Sequence, residues 1–331
     1  MSKYDVYAIG NALVDLEYAV DDQFIHDLNL QKGVMTLVPQ EEQRRILDAL
    51  QDYPGKQACG GSNANTVTAL SQFGGCAFYS CSVACDEFGT FFLNDLLSNN
   101  ISSNMTSVRD VGITGKCIVL VTPDAERSMF TYLGISDKVS VEDVDFTSVE
   151  KAQYVYIEGY LVTSPPGKAA AIMLRKYAEQ KNIKTALTFS DPNMVKYFKL
   201  GLQEMVGACV DLLFCNEHEA LLWADTDLID EAFDSLKAVA KTFIITLGKK
   251  GAWVFDGEKK IAIPAFPVKA LDTNGAGDIF AGAFLYGITH GLSYERAGML
   301  ASLAASELVK HYGARLPTET VQELLSHPAV A

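Results

Sequence analysis

Positive charge is scarce in this chain: 27 Lys and Arg stand against 41 Asp and Glu over 331 residues, a formal charge of −14. Such an acidic chain repels polyanions, so nucleic acid and anionic membranes are excluded as default partners. A phosphorylated ligand would need local help from backbone amides, a few placed cations or Mg²⁺. Histidine is rare, and its five copies are too dispersed to complete a metal site. The seven cysteines (59, 76, 81, 85, 117, 209 and 215) form no Cys-x-x-Cys pair and sit in apolar stretches such as AFYSCSVAC. That usage points to reduced structural thiols and a cytoplasmic setting. No window approaches the ~20 apolar residues of a spanning helix, and MSKYDVYAIGNALVDLEYAV lacks a basic segment ahead of an apolar one. Neither a membrane span nor an export signal is expected. Tandem repeats, low-complexity runs and Pro-rich linkers are also missing, which argues against independent domains on a string.

What is present is a large apolar fraction, 49% of residues, enough to bury a sizeable core. Strand-like and helix-like segments take turns. YDVYAIG (4–10) reads as a buried first strand, QEEQRRILDAL (40–50) and NANTVTALSQFG (63–74) as helices, and CAFYSCSV (76–83) as a strand. DEFGTFFLNDLLSNN returns to helix. Further on, YVYIEGY, KTALTFS, VDLLFCN, TFIITLG and GAWVFDG read as strands, with helices at PGKAAAIMLRKYAEQKN, from Glu217 and twice near the C-terminus. This alternation predicts an α/β fold: a mainly parallel sheet with helices on both faces.

Two stretches break the rhythm. Residues 14–38 and 112–134 look extended, the second with a turn at TPDAER, and neither leads at once into a crossover helix. They are expected to pair as a small antiparallel β lid. The predicted division is a core of residues 1–13, 39–111 and 135–331 and a lid of 14–38 and 112–134.

Open α/β sheets bind ligands beyond the carboxyl ends of their strands. The loops there are GNALVD, ACGGSNANT, CNEHEA and DTNGAGD. In the last, Gly275, Ala276 and Gly277 carry little or no side chain at a helix start, so backbone amides and the helix dipole favour an anion. The loop is no Walker A motif, since GxxxxGK[ST] occurs nowhere, and no dinucleotide fingerprint, since it lies far from the first strand and lacks the third glycine. Asp278 has two readings. It is either a first-turn acid complementing the dipole, or a base that takes a hydroxyl proton while the neighbouring amides hold a moving phosphoryl group.

GGSNANTVTALSQFGG near Gly60 and DTNGAGDIFAGAFLYG near Asp272, in that order, resemble the two motifs of the ribokinase-like (PfkB) carbohydrate and nucleoside kinases. The resemblance runs from about Tyr4 to Pro317, and GNALVD, GGSNAN and NEHE look most like the adenosine kinase branch. It implies a three-layer α/β/α ribokinase-like core with a small β-sheet lid. It also implies ATP and Mg²⁺ as cofactors, with K⁺ a possible third held by carbonyls near Asp272 and the run 301–317. That run reads by periodicity as core helix.

By this resemblance Asp278 is similar to the family base, and Gly275, Ala276 and Gly277 to its anion hole. Asn11, Asp15, Gly60, Gly61, Ser62 and Asn65 fall to the acceptor, with Asp15 accepting from vicinal hydroxyls. Asn193, Asn216, Gly248, Gly251, Thr273 and Asn274, with the amides of Gly275 and Gly277, fall to ATP. Glu219 with Asn216 falls to Mg²⁺, largely through water; without the family, the same pair is a helix cap. Arg127 on the lid is assigned either a reach over the transferred phosphate or a solvent-facing position. Lys249 and Lys250 read as solvated turn residues.

The expected activity is ATP-dependent phosphorylation of a primary alcohol, first the 5′-hydroxyl of a ribonucleoside such as adenosine. The alternatives are a kinase for ribose, fructose or a keto-deoxy sugar acid, and a non-catalytic nucleotide sensor. A nucleoside requires an apolar slot for its base, for which Val34, Met35, Phe130 and Tyr132 are the lid residues to inspect. The partner is thus a small molecule, and the assembly a monomer or a homodimer through the lid.

Overall fold

The computed structural model describes residues 2–105, 111–124 and 126–328. Of the expected TPDAER turn, Ala125 lies outside them. In chain order the first elements are β1 (Tyr4–Ile9), β2 (Leu13–Ala19), α1 (Asp22–Asp27), β3 (Met35–Leu37), α2 (Gln40–Ala49), β4 (Gly55–Gly60) and α3 (Ser62–Gln72). Next come β5 (Ala77–Ser80), α4 (Glu87–Ser98), β6 (Gly115–Val121), β7 (Arg127–Tyr132), α5 (Phe146–Val149), β8 (Ala152–Glu158) and α6 (Pro165–Gln180). The chain continues through β9 (Lys184–Thr188), α7 (Pro192–Val206), β10 (Val210–Asn216), α8 (Glu217–Ala224), α9 (Ile229–Leu236) and β11 (Ala240–Thr246). It ends with β12 (Ala252–Phe255), β13 (Lys260–Ile263), α10 (Ala276–Thr289), α11 (Tyr294–Leu308) and α12 (Thr318–Leu324).

Eight strands make the main sheet in the order β13-β12-β11-β10-β9-β8-β1-β5. From β11 to β5 every pairing is parallel, while β12 and β13 close one edge antiparallel. All six residues of β1 are buried, as a central strand covered on both faces requires. One apolar cluster fills the face under α3, α10 and α11, and another the face under α6, α7 and α8. The α/β expectation is met. The sequence reading lacks α7, although Asp191 as N-cap and Pro192 in the first turn are ordinary helix-start signals, and it lacks the short β13 and α12.

The second sheet has five strands in the order β3-β7-β6-β2-β4. It corrects the expected antiparallel pair, because β2 and β6 run parallel, as do β3 and β7. Residues 39–60, assigned to the core from the sequence, join the lid. β4 pairs antiparallel with β2, and Ile46 and Leu50 pack with Ile118, Leu120, Phe130 and Phe24 in a separate apolar cluster. Four of the six β4 residues are exposed, so this strand lacked the alternation that would have announced it. Helices α1 and α2 contribute to that cluster, which covers one face of the lid sheet.

The loop of greatest consequence follows α11. The run 301–317, expected to be chiefly core helix, leaves the helix after Leu308, and Gly313 turns with φ +96°.

Candidate active site

The position of Asp278 is set by a helix crossing. A Cβ on Gly282 of α10 would lie 2.5 Å from the Thr66 carbonyl oxygen of α3, so only glycine lets the two helices approach this closely. One turn earlier on each helix, Asp278 meets Ser62. The Ser62 hydroxyl donates to Asp278 Oδ1 at 2.7 Å, and Asn65 Nδ2 donates to Oδ2 at 3.0 Å. Both carboxylate oxygens are therefore held by donors from α3. Asp278 is only half-buried, yet protein encloses it on most sides of a cleft floor. Desolvation pushes its pKa up from 3.8 to about 6, against the lowering effect of Ser62, Asn65 and the Arg315 charge.

Gly275 caps α10 with φ +73° and supplies no side-chain cap. A Cβ there would lie 2.6 Å from the Ala314 carbonyl, so the turn tolerates no other residue. The early amides of an α-helix have no intrahelical partner, and around Gly277 nothing stands within 4 Å of a built Cβ. The amides of Gly277 and Asp278 thus begin a helix whose dipole favours an anion, beside open space.

All of this opens into a cleft of about 760 Å³ between the sheets. At one end lie Asn11, Asp15, Gly61, Ser62 and Asn65. Asp15 on β2 sits against Gly60, where a Cβ would fall 2.3 Å from its Oδ1. Burial pushes the Asp15 pKa up to about 7; Arg315 and Arg127 oppose this, and the Asp278 and Glu17 charges reinforce it. Gly61, with φ +93°, passes the Asn11 carbonyl at a distance that leaves no room for a Cβ.

The sequence reading missed Glu158. Only 1% exposed at the end of β8, it accepts from the Asn11 amide (3.2 Å), Asn11 Nδ2 (2.9 Å) and the Asn63 amide (3.0 Å). It ties the loop after β1 to the start of α3. Burial raises its pKa to about 7. The available signal was a carboxylate closing the apolar run YVYIE.

At the other end, Asn216 and Glu219 line the cleft as a reciprocal capping box on α8. The Asn216 amide donates to Glu219 Oε2 at 2.9 Å and Asn216 Nδ2 to Oε1 at 2.7 Å, while Glu219 N donates to Asn216 Oδ1 at 2.9 Å. Burial pushes the Glu219 pKa up to about 8. Thr273, Asn274, Gly275, Ala276 and Gly277 line the same cleft. Three residues expected at the nucleotide do not. Asn193 starts α7 with its amide on Asp191 Oδ1 (2.7 Å), and Gly248 and Gly251 form the β11–β12 turn. At Gly251, φ +93° and a built Cβ 2.0 Å from the Ile263 carbonyl account for the glycine structurally. Lys250 pairs with Glu217 at 3.0 Å beside that turn.

Arg127 lines the cleft and is not free in solvent. It bonds Glu17 Oε2 at 3.1 Å and Asp272 Oδ2 at 2.5 Å, joining the lid to the loop ahead of α10. Asp272 also accepts from the amides of Asn274 (3.0 Å) and Gly313 (2.7 Å). The apolar wall differs from expectation too. Met35, Leu37, Met129 and Leu133 line the cleft, whereas Val34 and Tyr132 do not and Phe130 packs into the lid's own cluster. Strand alternation explains the swap: on β7, Met129 and Thr131 face the cleft, so Phe130 faces away. Among the described residues, the lining carries six carboxylates (Asp15, Glu126, Glu158, Glu219, Asp272 and Asp278) and one cation, Arg127.

The family model described as pfkB family carbohydrate kinase matches residues 39–321. A solved structure of a probable sugar kinase from Rhizobium etli CFN 42 superposes with a TM-score of 0.92 at 32% identity, covering 100% of each chain. Adenosine kinase from Sinorhizobium meliloti gives 0.91 at 32% identity, covering 98% of this chain and 99% of that one. In sequence, adenosine kinase from Saccharomyces cerevisiae is 29% identical over 334 residues, covering 95% of this chain and 97% of the relative. The expected ribokinase-like architecture is shown by these superpositions. With the family motif spanning most of its length, the chain belongs to the pfkB family of carbohydrate kinases and is an ATP-dependent kinase acting on a hydroxyl group.

Proposed function

We propose that the acceptor is a neutral ribosyl compound, first the 5′-hydroxyl of adenosine, and that Asp278 is the base that receives its proton. The carrying observation for the chemistry is the meeting of Asp278 with uncapped α10 amides in one cleft. A carboxylate beside an anion-favouring nest repels bound phosphate unless a hydroxyl lies between them. With both oxygens held by Ser62 and Asn65, Asp278 presents fixed lone pairs to that hydroxyl. Its pKa of about 6 leaves it ionised at neutral pH and makes it a better base than an ordinary aspartate. The amides of Gly277 and Asp278 hold the migrating group at the positive end of the helix. Asp15 and Asn11 take the sugar hydroxyls, and the lid excludes water.

The choice of acceptor rests on charge and wall. Among the described lining residues, six carboxylates accompany one guanidinium that is already paired, which disfavours an anionic sugar acid. Met35 and Met129 offer a deformable apolar wall suited to a flat base. The similarity to the adenosine kinases of Sinorhizobium meliloti and Saccharomyces cerevisiae supports this reading.

The donor set suits Mg²⁺ held mostly through water. Asn216 and Glu219 already satisfy each other, and among the described residues no group of three or more His, Cys, Asp or Glu side chains is arranged to hold a metal. Phosphate oxygens and water would supply most ligands. When bound, the ion neutralises charge across the outer phosphates. K⁺ would be held by backbone carbonyls near Asp272 and the run 301–317; the Asp272 carboxylate itself is already taken by three donors.

The test is ATP consumption against adenosine, ribose, fructose and a keto-deoxy sugar acid. Adenosine is expected to give the highest kcat/KM; a preference for ribose or fructose overturns the acceptor assignment.

A further inference from the structure

Arg315 lies outside the cleft lining, in the loop that follows α11, yet it reaches the residue that holds Asp278. Its Nε donates to Asn65 Oδ1 at 2.8 Å, and Nη1 donates to Asp95 Oδ2 of α4 at 2.5 Å. An amide side chain has an acceptor end and a donor end. With a guanidinium on its oxygen, Asn65 has only its NH₂ to offer Asp278, which it does at 3.0 Å. The flipped amide would set oxygen against carboxylate and NH₂ against guanidinium, so Arg315 fixes the orientation.

The loop around Arg315 braces both halves of the site. The Gly313 amide donates to Asp272, Ala314 packs where a Gly275 side chain would be, and the Leu316 carbonyl accepts from Gln72 Nε2 of α3 at 3.0 Å. The remaining guanidinium nitrogen, Nη2, is shut off from solvent without a hydrogen-bond partner. Keeping a buried donor unsatisfied is unfavourable, which marks a residue retained for its charge. That charge lowers the pKa of Asp278 and of Asp15. Asp278 also faces Asp15 from β2, Tyr79 from β5, Tyr156 and Glu158 from β8, and Tyr160 beyond it. Among the described residues, Arg315 is the cation whose charge acts on it.

We propose that Arg315 is a positioning residue for proton transfer: it orients the Asn65 amide toward Asp278 and places a fixed positive charge behind the base. This rests on the reading of Asp278 as that base. The experiment measures kcat and KM from pH 5 to pH 9 for the full-length wild type, R315M, R315K and D278N. The substrates are ATP and whichever acceptor the wild type turns over, with thermal melting in parallel.

R315M is expected to move the acid limb of kcat to higher pH, so that its activity relative to wild type is about 5-fold lower at pH 6 than at pH 8.5, with KM for ATP unchanged. R315K keeps the charge and loses the fork, so its limb stays near the wild-type position while kcat falls several-fold at all pH. A loss in R315M that is uniform with pH, or confined to melting temperature, overturns the proposal, as does an R315K with wild-type kcat. Should R315M not fold, the R315K result decides. A D278N enzyme with near-normal turnover removes the base reading and this inference together, whereas a disabled D278N beside an unmoved R315M limb removes only the role of Arg315.

Discussion

Gly282 passes the Thr66 carbonyl so closely that a Cβ would stand 2.5 Å from the oxygen, and this contact brings Asp278 to Ser62 and Asn65 one turn away. Gly282→Ala should push α10 off α3. We expect a loss of about 1–3 kcal/mol in thermal unfolding and a drop in kcat larger than the stability loss accounts for. A destabilised but fully active variant would show that the crossing does not set a functional position of Asp278.

Asp278→Asn tests the chemistry directly. Turnover should fall about 10²–10⁴-fold while ATP binding by calorimetry is kept. Retained binding with near-wild-type turnover refutes the base assignment.

Gly60→Ala inserts a methyl group 2.3 Å from Asp15 Oδ1. Since the collision falls on the proposed acceptor carboxylate, KM for the acceptor should rise roughly 10-fold or more, with KM for ATP little changed. Equal increases in both constants would argue against Asp15 as an acceptor contact.

Arg127→Met cuts the tie between lid and core at a pair whose side chains are 11% and 1% exposed. Asp272 keeps its two amide donors, so the expected cost is about 1–3 kcal/mol. Futile ATP hydrolysis without acceptor should increase if the tie helps seal the cleft. Unchanged hydrolysis with unchanged melting would assign the pair no part in closure.

Stability should depend on pH in a definite direction. Burial raises the folded pKa of Glu158 and Glu219 from 4.5 to about 7 and about 8, and that of Asp15 from 3.8 to about 7. The unfolded chain releases these protons first, so the stabilisation is complete below about pH 4 and is lost as pH rises through 7 to 8. The melting temperature should therefore fall between pH 5 and pH 8.5, and Glu219→Gln should flatten that slope. A melting temperature that climbs over this range contradicts the assignment.

Much of the site was legible because its parts are local. Gly275 and Gly61 need positive φ at helix starts, and Asn216 with Glu219 at i and i+3 is a reciprocal cap; such demands show in a few adjacent residues. The kinase motifs carried the same kind of signal. Glu158 and Arg315 were overlooked because their importance comes from partners 147 and 250 residues away. Phe130 and Tyr132 were misread for a related reason, since the direction of a strand residue depends on which face of the sheet meets the cleft.

The sequence by itself determined the alternating α/β layers, the glycine-turned loops and the presence of Asp278 in the first turn of a helix, because periodicity and backbone sterics act over a few residues. Only the tertiary structure decided that β4 and α2 belong to the lid, that Arg127 grips Asp272, and that a guanidinium from the C-terminal loop stands behind Asn65. Those outcomes depend on long-range packing and on the competition between burial and opposite charge, which no short stretch of chain contains.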